Sequence, residues 1–177
     1  MAWTAPPVVR TVELGTLGTL PERRMLEGWL QWHRETLLAK CAGLASGELS
    51  RTTVKPSALT LLGLVRHMAE IERWWFRRSV AGEALGDVFT DPEDGDEGFD
   101  GVEVADAAQA FARFRTELRL CDRAAAGRDL DETFVSPRGV PLSLRWVYVL
   151  MIQEYARHNG HADFLRERTD GTTGDAG

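Results

Sequence analysis

A carboxylate and two imidazoles recur at helical spacing near the C-terminus of the chain, in Glu154, His158 and His161. Residues three and four apart share one face of a helix, so these side chains are predicted to point the same way. Imidazole nitrogens and carboxylate oxygens are common ligands of divalent metal ions. One helix face normally supplies two ligands, so a complete site requires a third ligand from elsewhere in the fold.

The chain contains two other histidines, His33 and His67. His67 lies in the middle of a second amphipathic stretch, residues 61–71, and is therefore the better candidate for the third ligand. His33 stands beside Trp32 in the first amphipathic stretch, which indicates a packed or pocket-lining histidine rather than a ligand.

His67, Glu154 and His158 together would form a set of two histidines and one carboxylate. Such a set leaves coordination positions open for water and substrate, as reactive metal sites do. The alternative is structural: the histidines are packed in the core, and Glu154 is neutralised by Arg66 or Arg157. Burying an ionised carboxylate without a partner costs several kcal/mol, on the order of the stability of a small domain, so Glu154 requires one or the other.

Several neighbouring residues have possible supporting roles. His161 is one turn beyond His158 and is a candidate fourth ligand, proton carrier or orienting partner of a ligand; the last role is favoured. Glu70 and Glu72 are candidates to accept a hydrogen bond from a ligand histidine, although an exposed ion pair is favoured for Glu72. Trp74 is predicted to pack in the core or to line a cleft near the metal.

Composition restricts the function classes. With 177 residues, 44% of them apolar and 27% charged, the chain is long enough for one globular domain with a hydrophobic core. The net charge of −6 makes nucleic-acid binding improbable on electrostatic grounds. Arg73, Arg77 and Arg78 do not change this, because their spacing predicts the solvated face of a helix.

The sequence shows neither a membrane-spanning run nor a redox-active cysteine motif. No apolar run approaches the roughly 18 residues needed to cross a bilayer, so no membrane association and a cytoplasmic location are expected. Cys41 and Cys121 are 80 positions apart without a CxxC motif. They are predicted to be buried, reduced thiols.

Helical periodicity and the positions of Gly and Pro predict an all-α, four-helix bundle. Residues 86–101 read as an exposed acidic loop, and residues 127–142 as a link that can hold a short hairpin outside the core. The predicted helices cover about residues 21–45, 57–80, 104–126 and 143–168. The predicted organisation is an N-terminal arm (1–20), packed outside the bundle or disordered, a bundle (21–171) and a flexible tail (172–177).

Two segments carry a resemblance to a known family: residues 61–76, around His67, and residues 144–163, around His158. In these motifs the chain resembles the DinB/YfiT-like superfamily of four-helix metal-dependent enzymes, and within it the mini-circle protein family. The resemblance extends over about residues 23–171. Superfamily members typically take one histidine from the second helix and an H-x-x-x-H pair from the last. Here Glu154 replaces the first histidine of that pair, as in the mycothiol-dependent maleylpyruvate isomerase branch.

The resemblance implies that His67, Glu154 and His158 bind a divalent ion, Zn²⁺ foremost, with Ni, Fe or Mn as alternatives. It also implies a small-molecule substrate and a low-molecular-weight thiol such as mycothiol or bacillithiol, and an activity as a thiol S-transferase or a related transferase or hydrolase. Arg157 and Trp74 are candidate contacts for these molecules. A non-catalytic ligand-binding or interaction bundle is the alternative, and a homodimer is possible for either.

Overall fold

The computed structural model of the chain describes residues 2–89, 99, 101–102, 106–136 and 139–173. It confirms an all-α architecture with one small hairpin. The helices are α1 (Leu14–Leu17), α2 (Glu22–Cys41), α3 (Ser46–Leu49), α4 (Leu61–Glu72), α5 (Ala107–Ala125) and α6 (Leu144–Asp170), and a π-helical segment (Arg73–Val80) continues α4. Strands β1 (Thr133–Val135) and β2 (Pro141–Ser143) pair antiparallel just before α6.

Side-chain caps explain where three of the long helices begin. The hydroxyl of Thr60 accepts a hydrogen bond from the Gly63 amide at 2.9 Å and starts α4. Asp106 caps α5 and Ser143 caps α6 in the same way. Each side chain satisfies a backbone N–H that has no partner inside its helix. Helix α6 ends where Gly171 adopts a φ of +79°, a conformation that glycine allows at little cost.

Helix α2 runs parallel to α6. Arg145 at the start of α6 binds Glu22 at the start of α2, with Nε and Oε1 2.7 Å apart. Near the other end, Lys40 of α2 binds Asp163 of α6 at 2.6 Å. Both helices therefore point the same way, and the chain needs the intervening elements to return to the starting end of the bundle.

A buried ion pair crosses the centre of the bundle. Arg34 of α2 binds both carboxylate oxygens of Glu72 in α4, at 2.6 and 2.7 Å, and the Tyr155 hydroxyl of α6 donates to Glu72 at 3.0 Å. A third Arg34 nitrogen reaches Asp122 of α5 at 2.8 Å. The network joins all four long helices. The prediction of an exposed ion pair for Glu72 is wrong, because its side chain is 0% exposed.

The π-helical segment also differs from the sequence prediction. Arg77 is not on a solvated face: it is buried and binds Glu117 of α5 at 2.9 Å. Arg73 binds the other oxygen of Glu117 at 2.7 Å. Arg73 and Arg78 are partly exposed, and Arg78 pairs with Asp87 at 2.7 Å. Arg73 and Arg77 hold the π-helical segment against α5.

The N-terminal arm is packed against the bundle. Trp3 meets Phe111 of α5 edge-on, with ring centroids 5.4 Å apart. The amide of Thr11 donates to Glu35 of α2 at 3.1 Å, and the Thr11 hydroxyl donates to the same carboxylate. The guanidinium of Arg10 donates to α2 as well. Of the two alternatives for the arm, packing outside the bundle is the one observed.

The remaining predictions concern loops and spans. The short hairpin between residues 127 and 142 is confirmed as β1 and β2. Most of the acidic stretch 86–101, the first residues of the predicted third helix (104–105) and residues 174–177 of the tail lie outside the described residues. In the part of the chain that is described, no helix is both long and apolar enough to cross a membrane.

Candidate functional site

Helices α4 and α6 bring two of the predicted ligands together. The imidazoles of His67 and His158 lie with ring centroids 4.7 Å apart at an interplanar angle of 65°. Further along the same helix pair, Trp75 of the π-helical segment meets Trp146 of α6 at 5.3 Å. Because the order of contacts is reversed along the two elements, they run antiparallel. His67 and His158 therefore face each other across a single helix–helix seam.

Glu154 lies one turn before His158 and completes the predicted set on α6. Its Oε2 is 3.8 Å from His158 Nε2, and four-fifths of its side chain is covered. Arg157 approaches the same carboxylate at 3.4 Å, but its side chain is 53% exposed. Such a long, solvated ion pair contributes little. The carboxylate is thus held close to His158 while still free to take a stronger cationic partner.

His161 lies on the other side of the His158 ring. The Nδ1 atoms of His158 and His161 are 3.3 Å apart, so one donates a hydrogen bond to the other, and the tautomers decide which one is the donor. If His158 Nδ1 carries the proton, its Nε2 presents a lone pair on the side of Glu154. This arrangement is the one that metal-bound histidines commonly adopt, with the second ring nitrogen hydrogen-bonded.

The environment of His158 keeps its imidazole neutral. The ring is buried, and burial together with His67, His161 and Arg157 lowers its pKa to about 4. Burial is the largest cause, because it disfavours the charged imidazolium. Metal binding requires the neutral imidazole. At neutral pH His158 is therefore already in the form that can bind an ion.

The donor set fits a divalent ion in its chemistry. Two imidazoles and a carboxylate converge on one seam, and the ring that contacts both other members is uncharged. Within the described ranges, however, no three His, Cys, Asp or Glu side chains are arranged so that they could hold an ion as they stand. The assignment of His67, Glu154 and His158 as ligands thus stays a prediction that rests on donor type and proximity.

The two glutamates considered as partners of a ligand histidine have other roles. Glu70 accepts hydrogen bonds from the backbone amides of Val88 and Phe89, at 2.8 and 2.6 Å. Glu72 is held by Arg34 and Tyr155, whereas the prediction that Glu70 orients an imidazole stays a prediction.

Arg157 and Trp74, the two predicted substrate contacts, lie in different surroundings. Arg157 lies at its exposed edge beside Glu154. Trp74 packs under Arg78, whose guanidinium carbon is 4.4 Å from the ring centroid. A groove of about 370 Å³ lies instead between the π-helical segment and α5, lined by Arg73, Arg113 and their neighbours. It includes none of the predicted site residues.

His33 is buried, as the sequence predicts, and belongs to the α2–α6 contact. The Asn159 side-chain amide donates to its backbone oxygen at 3.1 Å and lies 3.3 Å from its Nδ1. Trp32 meets the His33 ring edge-on at 5.1 Å. His33 therefore packs beside the candidate site without facing the seam between α4 and α6.

One residue beside the site is missed by the sequence reasoning. Phe99 stacks on His67, with ring centroids 4.8 Å apart and an interplanar angle of 27°. It belongs to the acidic, glycine-rich stretch between α4 and α5, which has no periodicity that would place a side chain. Its only advance signal is that it is aromatic among acidic residues and glycines.

Comparison with known proteins supports the family resemblance of the chain. A family described as mycothiol-S-transferase matches residues 25–171, a range that contains all of the site residues above. No curated protein and no solved structure matches the chain. The family match confirms the resemblance to the DinB/YfiT-like superfamily. The chain belongs to the mycothiol-S-transferase family.

Proposed function

We propose that the protein is a divalent-metal-dependent transferase that joins a low-molecular-weight thiol, mycothiol foremost, to a small electrophilic substrate. The observation that carries the proposal is the contact of His67 with His158, beside Glu154, in a chain of the mycothiol-S-transferase family. Zn²⁺ is the first choice of ion, because catalytic zinc sites commonly combine two histidines with a glutamate and keep one position open. Ni, Fe or Mn are alternatives, since the same donor types bind them as well.

The nucleophilic sulfur must come from a substrate, because neither cysteine of the protein is suited to the reaction. Cys41 is fully buried, and burial raises the pKa of its thiol to about 12. Burial also raises the pKa of Cys121, with Glu72 and Glu117 adding to the shift. Thiolates are the reactive form, and both side chains hold their protons at neutral pH. This agrees with a family whose thiol is mycothiol.

A bound divalent ion lowers the pKa of a coordinated thiol and so supplies a thiolate near neutral pH. The residues of the chain would bind the ion and orient the substrates. His67 and the neutral imidazole of His158 would supply ring nitrogens to the ion, and Glu154 would balance part of its charge. In the tautomer with a proton on His158 Nδ1, His161 Nδ1 would accept a hydrogen bond from it and leave His158 Nε2 for the ion. Arg157, at the exposed edge, is placed to contact an anionic group of a substrate.

Metal binding by variants tests the site directly. Purified protein is stripped of metal and titrated with Zn²⁺, and the same is done for His67→Ala, His158→Ala and the control His33→Ala. The wild type and His33→Ala are expected to bind one ion, whereas the two ligand variants lose stoichiometric binding. His33 is a matched control because it is buried in the same bundle. Equal affinity in all four proteins would contradict the ligand assignment.

The alternative, a non-catalytic ligand-binding or interaction bundle, predicts that even the wild type binds no stoichiometric metal. The family match favours the enzyme. A homodimer stays a prediction of its own, and sedimentation of the purified chain tests it without reference to catalysis.

A further inference from the structure

We propose that Phe99 is a positioning residue of His67, and that Gly63 leaves the space through which the Phe99 ring reaches the imidazole. The contribution of Phe99 to metal binding rests on the proposed function. The stacking of the two rings, and the role of Gly63 in it, can be tested in metal-free protein.

The His67 ring is held by two aromatic neighbours in different orientations. Phe99 lies nearly parallel to it, at 27° and 4.8 Å, and covers a face of the imidazole. His158 meets it steeply, at 65° and 4.7 Å. A nitrogen lone pair lies in the plane of its imidazole, so the direction in which His67 can bind depends on that plane. With one face covered, the ring is not free to turn about its Cβ–Cγ bond.

Gly63 makes this stacking possible. It lies one turn before His67 on the same face of α4. A Cβ at this position would lie 2.9 Å from Cδ1 of Phe99, 3.0 Å from Oγ1 of Thr60 and 3.4 Å from Cε1 of Phe99. The first distance is shorter than side chains tolerate, so an alanine would displace the Phe99 ring.

Phe99 also shields the seam. It is partly buried and packs against the hydrophobic core, so the face of His67 that it covers is closed to water. Hydrogen-bonded partners that orient a ligand commonly change metal affinity by about 10- to 100-fold when they are removed, and a stacked ring that fixes the plane of the His67 imidazole is proposed to act in the same way.

The spectroscopic test uses metal-free protein. Stacking on Phe99 shifts the ring-proton resonances of His67 upfield, and this shift is expected to disappear in Phe99→Ala and to persist in Phe99→Tyr. Unchanged His67 resonances in Phe99→Ala would overturn the proposal. A wild type that binds no metal would refute the proposed function, while the resonances would still decide whether Phe99 positions His67.

A double-mutant cycle tests the role of Gly63. Gly63→Ala is expected to lower the thermal midpoint when Phe99 is present, and to lower it by less in the Phe99→Ala background, where only the close contact with the Thr60 hydroxyl remains. Equal effects in both backgrounds would show that the glycine has no connection with Phe99.

The metal titration separates positioning from stability. Phe99→Ala is expected to weaken Zn²⁺ binding about tenfold or more, and Phe99→Tyr to restore it. The control is Phe134→Ala, which removes another partly buried ring packed on the core. It is expected to reduce stability without changing the affinity. An equal loss of affinity in both alanine variants would mean that Phe99 acts only through stability.

Discussion

Replacing Glu72 by glutamine should be among the most damaging conservative substitutions in the chain. The change keeps the size of the side chain and removes its charge, which leaves Arg34, 3% exposed, without the carboxylate that binds it at 2.6 and 2.7 Å. Removing one partner of a buried ion pair typically costs about 3–5 kcal/mol. Asp122 still contacts Arg34 from the surface, and Tyr155 can still donate to the amide oxygen. The expected loss of unfolding free energy is therefore near the lower end of this range, about 3 kcal/mol.

Urea unfolding followed by tryptophan fluorescence measures this loss. With a denaturant slope of about 2 kcal/mol per molar, a loss of about 3 kcal/mol moves the midpoint down by about 1.5 M. The control is Glu132→Gln, which removes an exposed partner of Arg128 and should cost less than about 1 kcal/mol. Replacing Arg34 and Glu72 together by methionine should cost less than the sum of the single losses, because no charge is left buried alone. A loss below about 1 kcal/mol for Glu72→Gln would refute the reasoning.

Three smaller effects follow from other contacts. Thr60→Ala should lower the free energy of unfolding by about 1 kcal/mol in the same titration, because the Gly63 amide loses its cap. In metal-free protein, the thermal midpoint should fall as the pH is lowered from about 6.5 to about 4. The fall is expected because the pKa of His158 is lowered to about 4 in the folded protein. The unfolded chain therefore takes up a proton on His158 at a higher pH than the folded protein does. His158→Gln should make this fall smaller. Thr11→Val should cost about 1 kcal/mol and speed proteolysis of the arm, because buried Glu35 loses a donor; unchanged cleavage would show that this contact does not hold the arm.

Local patterns predicted the helices well and their ends less well. Periodicity placed a helix around His67, but its start was assigned to Ser57, whereas Thr60 is the observed cap. The Ser57 hydroxyl accepts a hydrogen bond from the Leu59 amide, so it stabilises a turn just before the helix. A cap-forming residue after a proline does not by itself distinguish these two uses.

The contact between His67 and His158 was predicted, but other long-range contacts were not. Glu154, His158 and His161 are close because of helical geometry alone, and their proximity was predicted from their spacing. The partner of Glu72 is Arg34, 38 positions away, and nothing in either neighbourhood identifies it. Phe99 reaches His67 from a stretch without periodicity. Such contacts depend on how the helices pack, which the order of residues in one element does not reveal.

The most direct measurement of the central claim is thiol transfer by the metal-loaded protein. Zn²⁺-loaded wild type, His158→Ala and His33→Ala are incubated with mycothiol and an electrophilic acceptor, and formation of the conjugate is followed, with glutathione as the control thiol. The account predicts metal-dependent conjugation of mycothiol by the wild type and His33→Ala, and its loss in His158→Ala. Conjugation that is unaffected by removal of the metal or by His158→Ala would contradict it.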